Sequence, residues 1–154
     1  MNILLLALLA HPGGPCDSVP PPVNQAVVAF VQGHAGQRVG RGECWDLVAE
    51  ALDAAGAGWD GEQDYGDPVD PMKDCVHAGD IIHFSKATFR HYEGGMTRTE
   101  RMDDHTAVII RVQDRGICTL AHRNTPSTGK KEGFSAIDLR HIVGGKYVVY
   151  RPRP

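Results

Sequence analysis

The chain has 154 residues, 42% of them apolar and 23% charged, which is enough for one domain core and excludes disorder over most of the length. Sixteen Lys and Arg against nineteen Asp and Glu leave a formal charge of −3, so no general pull toward nucleic acid or an anionic membrane is expected. Eighteen Gly and ten Pro are many for a helical bundle, and eight His are enough that each is weighed on its own.

Residues 3–10 (ILLLALLA) are an uninterrupted apolar run. It is far shorter than the roughly 20 residues of a membrane-spanning helix and matches the core of a secretory signal. No Lys or Arg precedes it and no small-x-small cleavage site follows, so a short buried strand or an apolar end is the competing reading. Residues 11–22 (HPGGPCDSVPPP) read as an extended linker. The expectation is a leader and linker over 1–22 and a single domain over 23–154. The location is then secreted, periplasmic or cell envelope, and cytoplasmic if the run is not a leader. Cys16 follows Gly-Gly-Pro, a poor lipidation context.

Residues 23–33 show apolar positions at 23, 27, 28, 30 and 31, a helical pattern ending at Gly33. A Gly-punctuated loop covers 34–42. Residues 43–55 (ECWDLVAEALDAA) are the best helix, with Cys44, Val48, Ala51, Leu52 and Ala55 on one face and Gly56 as the stop. Residues 58–80 read as a polar loop. Strands are expected at 81–84, around 88–92 and 96–101, at 105–112, at 117–122 and at 146–151. Helices first and strands after is the order of an α+β fold, with N-terminal helices packed on an antiparallel sheet.

Cys44 lies in the first turn of the best helix. Unpaired N–H groups and the positive dipole end stabilise a thiolate there. Taken alone, a buried structural Cys is the more common explanation. Of the four cysteines (16, 44, 75 and 118), a catalytic thiolate leaves at most one bridge, and no C-x-x-C spacing points to zinc. No metal or organic cofactor is expected, and a His-based metal protein is the weakest option.

Strands 105–112 and 117–122 flank Gln113-Asp114-Arg115-Gly116. With Asp114 and Arg115 at the centre of the turn, His105 falls opposite Asn124 and Ala107 opposite His122. The alternation of strand side chains then puts His105, His122 and Asn124 on one face. Directly opposed Cβ atoms are about 5 Å apart and diagonal ones about 7 Å, so either partner can bond one ring nitrogen of His105. The other nitrogen is then free to take a thiol proton, and thiol, base and orienter is the general arrangement for activating a nucleophile. A one-residue register change places Arg123 there instead. His11, His34, His77, His91 and His141 read as surface or structural residues, and His83 is left open.

These residues resemble the papain-like amidohydrolases of the NlpC and CHAP type. GRGECWDLVAEAL resembles their nucleophile helix, AGDIIHF at 78–84 their P-G-D strand, DHTAVIIRV at 104–112 their catalytic His strand, and TLAHRN at 119–124 the strand of the third polar residue. The chain also resembles a cysteine-proteinase-like domain at the carboxy terminus of some fungal cytoskeletal proteins. The resemblance spans about residues 37–124 and implies Cys44 as nucleophile, His105 as base, and His122, ranked just above Asn124, as orienter. Gln37, seven residues before Cys44, stands where papain-like peptidases carry an oxyanion Gln, and the Cys44 N–H is the other oxyanion donor. Trp45 and Asp46 are read as packing and capping residues. Ala78 replaces the family's Pro, and 85–103 is longer and more polar than the pattern. The resulting expectation is a thiol hydrolase that cleaves an amide or peptide bond, in a peptide or peptidoglycan, through a thioester. An acyltransferase on the same triad and a catalytically silent binding module of the same fold are the alternatives.

Overall fold

The computed structural model describes residue 16, residues 18–123, residue 129 and residues 131–154. The apolar run at 3–10 and Asn124 lie outside the described residues.

Among the described residues two α-helices precede the sheet. Helix α1, Pro22–Gly33, opens on a proline at its first position, where the missing N–H costs no bond, and buries Val23, Asn24, Val27 and Val31. Helix α2, Cys44–Ala54, buries Leu47, Val48, Ala51 and Leu52 and stops at Gly56, whose φ of +66° suits glycine. Among the described residues no helix is long and apolar enough to cross a membrane.

The strands are β1 (Asp67–Val69), β2 (Ile81–Glu93), β3 (Met96–Asp114), β4 (Ile117–His122), β5 (Gly133–Asp138) and β6 (Ile142–Arg151). They form one antiparallel sheet in the order β1-β6-β2-β3-β4-β5. The segments expected at 81–84 and 88–92 are one long strand, and so are those at 96–101 and 105–112. The polar loop at 58–80 contains β1, and β5 lies in a region where no strand was expected.

Each face of the sheet carries its own core. Ile81, Val108 and Ala121 join the buried faces of α1 and α2, with Tyr65. Ile82, Phe84, Ala107, Ile109, Leu120 and Val149 fill the opposite, concave face. The β2–β3 register is uniform from Ile81↔Val108 to Glu93↔Met96, yet the side-chain phase steps near Lys86. Phe84 faces the concave core, and so do Ala87 and Phe89 beyond the step. Lys86 takes φ +50°, and Gly145 on β6 lies against its carbonyl, leaving no room for a Cβ. This irregularity curls the distal β2–β3 ribbon over the concave face.

The Gly79-Asp80 pair of the AGD segment ties the layers together. A Cβ on Gly79 would collide with the Asn24 backbone, so glycine permits the close approach of α1. The fully buried Asp80 carboxylate accepts from Asn24 Nδ2 (2.8 Å), His77 N (2.9 Å), and Arg151 Nε (3.0 Å) and Nη2 (2.8 Å). A disulfide joins Cys16 to Cys75 across 59 residues of sequence, and Cys44 and Cys118 are free. Cys75 therefore does not pair with Cys118, whose buried thiol is pushed up to about 12.

Candidate active site

Cys44 is the first residue of α2 and is half-buried. The turn before it is held by Asp46, whose Oδ2 accepts from Arg41 N (2.8 Å) and Glu43 N (3.2 Å) while Arg41 Nη2 bonds Oδ1 (3.0 Å). Burial pushes the Asp46 carboxyl upward, but the Arg41 guanidinium and these N–H groups outweigh it and hold the group below the ordinary range. Asp46 thus caps the helix, and a carboxylate there also complements the dipole. Trp45 donates to the Glu62 carbonyl (2.9 Å) and packs on Trp59.

Polar groups on the helix-covered face beside Cys44 include Tyr65, His83, Asp104 and Thr106. His83 Nδ1 lies 3.0 Å from Thr106 Oγ1, and its Nε2 lies 3.2 Å from Asp104 Oδ1. Burial lowers the His83 pKa, with Asp104 opposing. The Tyr65 phenol is raised by burial, with a hydrogen bond to Thr106 opposing and the Asp104 and Cys44 charges adding to it.

His105 stands elsewhere. It pairs with Phe84, stacks on that ring at 6.3 Å and is 9% exposed. Phe84, Ala107 and Ile109 belong to the concave core, while Val108 meets the helices. Alternation along β3 therefore turns His105 to the face opposite α2. No hydrogen bond joins Cys44 to His105, and the alternation places the two on different faces of the sheet. The physical reason is that β3 is apolar on both sides at 107–110, and the helices cover the 108 side.

His105 and His122 do meet: Nε2 of the first lies 2.9 Å from Nδ1 of the second. The β3–β4 pairing Val108↔Ala121 and Ile109↔Leu120 is the expected register, although the route to it differs. Asp114 pairs with Ile117, so Arg115 and Gly116 make the turn, and two irregularities on β3 take back the offset. Burial lowers His105 to about 4, with the His122 and His83 charges adding to the effect, and burial alone lowers His122 to about 4. His122 Nε2 in turn lies 2.8 Å from Ser135 Oγ on β5.

Gln37 is exposed on the loop before α2, and its carbonyl accepts from Glu132 N at 3.1 Å. Beneath that loop Arg123 is fully buried and donates from Nη1 to the Val39 carbonyl (2.7 Å). Glu132 faces it at 3.9 Å, beyond hydrogen-bond length. Among the described residues no group of three or more His, Cys, Asp or Glu is arranged to hold a metal. The sequence reading did not single out Tyr65, Asp104, Thr106 or Ser135. For Ser135 the available signal was the alternation of Phe134, Ala136 and Ile137 around it.

Residues 22–154 match the family described as the AIM3/BBC1 cysteine proteinase-fold domain. The chain belongs to this family. A curated relative, "Altered inheritance of mitochondria protein 3" of Debaryomyces hansenii, is 28% identical over 152 residues. The match covers 85% of this chain but only 16% of that protein. Among solved structures, the crystal structure of Ly7917 with the hydrolyzing product of MDP aligns with a TM-score of 0.51 at 16% identity. It covers 86% of this chain and 63% of that one, a likeness of fold. The α+β domain with two helices on a six-stranded antiparallel sheet is thus a cysteine-proteinase-like fold.

Proposed function

We propose that the domain is an interaction module built on a cysteine-proteinase fold, in which Cys44 is not served by His105. One observation carries this reading: Val108 meets the helices while Ala107 and Ile109 face away, so His105 projects from the far side of the sheet. A thiol that His105 does not serve keeps the shape of a nucleophile site and loses that proton transfer. The surface beside it, with half-buried Trp45 and Trp59, suits an extended peptide in which aromatic side chains supply most of the contact.

Alkylation by iodoacetamide between pH 6 and 9 tests this. Cys44 labels as an ordinary thiol, faster as pH rises, with the same profile in His105→Ala. Rapid labelling at pH 6 that disappears in His105→Ala overturns the reading.

A second reading, a thiol hydrolase cleaving an amide or peptide bond at Cys44, is favoured by the carboxylate-paired imidazole on the same face, His83 with Asp104. It requires His83→Ala, rather than His105→Ala, to suppress labelling at low pH.

A further inference from the structure

The two imidazoles that do not reach Cys44 end on a different nucleophile. Ser135 Oγ lies 2.8 Å from His122 Nε2, and His122 Nδ1 lies 2.9 Å from His105 Nε2. The three side chains come from three adjacent strands. Leu120 pairs with Ser135 and His122 with Gly133, so Ser135 and His122 are diagonal neighbours on one face. The rings of His105 and His122 meet edge to face at 5.1 Å, and His105 is backed by Phe84. His122 and Ser135 line a cleft of about 620 Å³. Asp138 and His141 stand on the same wall, and His91 and Arg98 of the β2–β3 ribbon face them. That volume lies within the range of small-molecule sites.

We propose that Ser135, His122 and His105 form a hydroxyl–imidazole–imidazole relay that gives the concave face a serine-type activity toward small carboxylic esters. This goes beyond the binding reading of the α2 face and does not depend on it.

One of the two proton arrangements compatible with these distances has Ser135 donating to His122 Nε2 and His122 Nδ1–H donating to His105 Nε2. In that arrangement both imidazoles are neutral, and the ring proton of His105 is on Nδ1. As Oγ bonds the ester carbonyl carbon, its proton passes to Nε2. The tetrahedral adduct expels the alcohol oxygen, which takes that proton. Water then attacks the acyl-serine, Nε2 receives its proton and returns it to Oγ, and the carboxylic acid leaves. Ester and water become acid and alcohol with no redox change. Ser135 and His122 are the catalytic residues. His105 is a positioning residue that fixes the His122 tautomer, since it touches no reacting atom.

The test uses the full chain with a fluorophosphonate probe read by peptide mass spectrometry, and with p-nitrophenyl acetate hydrolysis. The probe is expected on Ser135, and Ser135→Ala should bring hydrolysis down to the rate in buffer alone, since no acyl-serine can form. Ser18→Ala, at an exposed serine outside the cleft, should change neither readout. His105→Gln, which keeps an acceptor for His122 Nδ1–H, should retain most of the rate, whereas the similarly sized but non-accepting His105→Leu should not. Circular dichroism confirms folding of each variant before rates are compared. Probe spread over several serines, or hydrolysis unaffected by Ser135→Ala, overturns the relay. Hydrolysis lost in Cys44→Ser with Ser135 unlabelled overturns the relay and the binding reading together, which separates the two failures.

Discussion

The two faces of the sheet hold similar polar groups in opposite electrostatic settings. On the helix-covered face His83 has a carboxylate at 3.2 Å, and the Asp104 side chain is 80% exposed, so water and a counter-charge are both at hand. On the concave face His105 and His122 are 9% and 3% exposed and bond to each other and to Ser135. There the protonated form loses hydration and gains no carboxylate partner, so both imidazoles fall to about 4. A single residue step along β3 separates these environments. The character of an imidazole in this fold is set by the side of the strand it leaves from.

The comparison can be broken most forcefully at Phe84. Phe84→Ala removes the ring under His105 and opens the concave core, and should cost about 3–5 kcal/mol in urea denaturation. Any surviving fold should show both imidazoles titrating closer to 6.5 by NMR.

Acid titration of the intact protein comes next. The folded pKa of His105 and of His122 lies near 4, against an ordinary 6.5. Above pH 6.5 both states are neutral and stability is unaffected. As pH falls from 6.5 to 4 the unfolded chain takes up protons that the folded one refuses, so stability drops. The loss is on the order of 3 kcal/mol per imidazole and levels off below pH 4. Unfolding free energies that are equal at pH 7.5 and 4.5 would refute the buried neutral pair.

Smaller effects sharpen the picture. Gly145→Ala should cost roughly 2 kcal/mol, because its φ of +69° and the Lys86 carbonyl both oppose a Cβ. The two free thiols give the gentlest test. Cys44→Ala should change stability by less than about 1 kcal/mol, since Cys44 is half-buried. Native Cys44 should react with Ellman's reagent long before Cys118, which should wait for unfolding.

Much of this architecture was legible in the residues. The 3.6-residue pattern marked both helices, and β-branched runs marked most of the strands. The pairing of Val108 with Ala121 and the shared face of His105 and His122 also followed from the hairpin. Which face the helices would cover did not. Ala107-Val108-Ile109-Ile110 is apolar in both directions, so β3 carries no amphipathic cue at the point where the choice is made. Strand β1 was hidden because three residues containing Pro68 make no pattern, an edge position where a missing N–H is tolerated. Asp80 was visible only as part of a short motif. Its role in joining α1 to β6 through Asn24 and Arg151 needs contacts 56 and 71 residues apart.

The step at Lys86 decides whether the concave face is a surface or a container. A ribbon that kept its phase past Ser85 would aim His91 and Arg98 outward, swing Tyr92 inward, and leave Ser135 on an open floor. Lys86 and Asp103 drawn into the regular alternation, with no residue removed, would turn the arm inside out with every backbone pair preserved. The second wall therefore depends on the backbone conformation at a single step, and on no group beneath it.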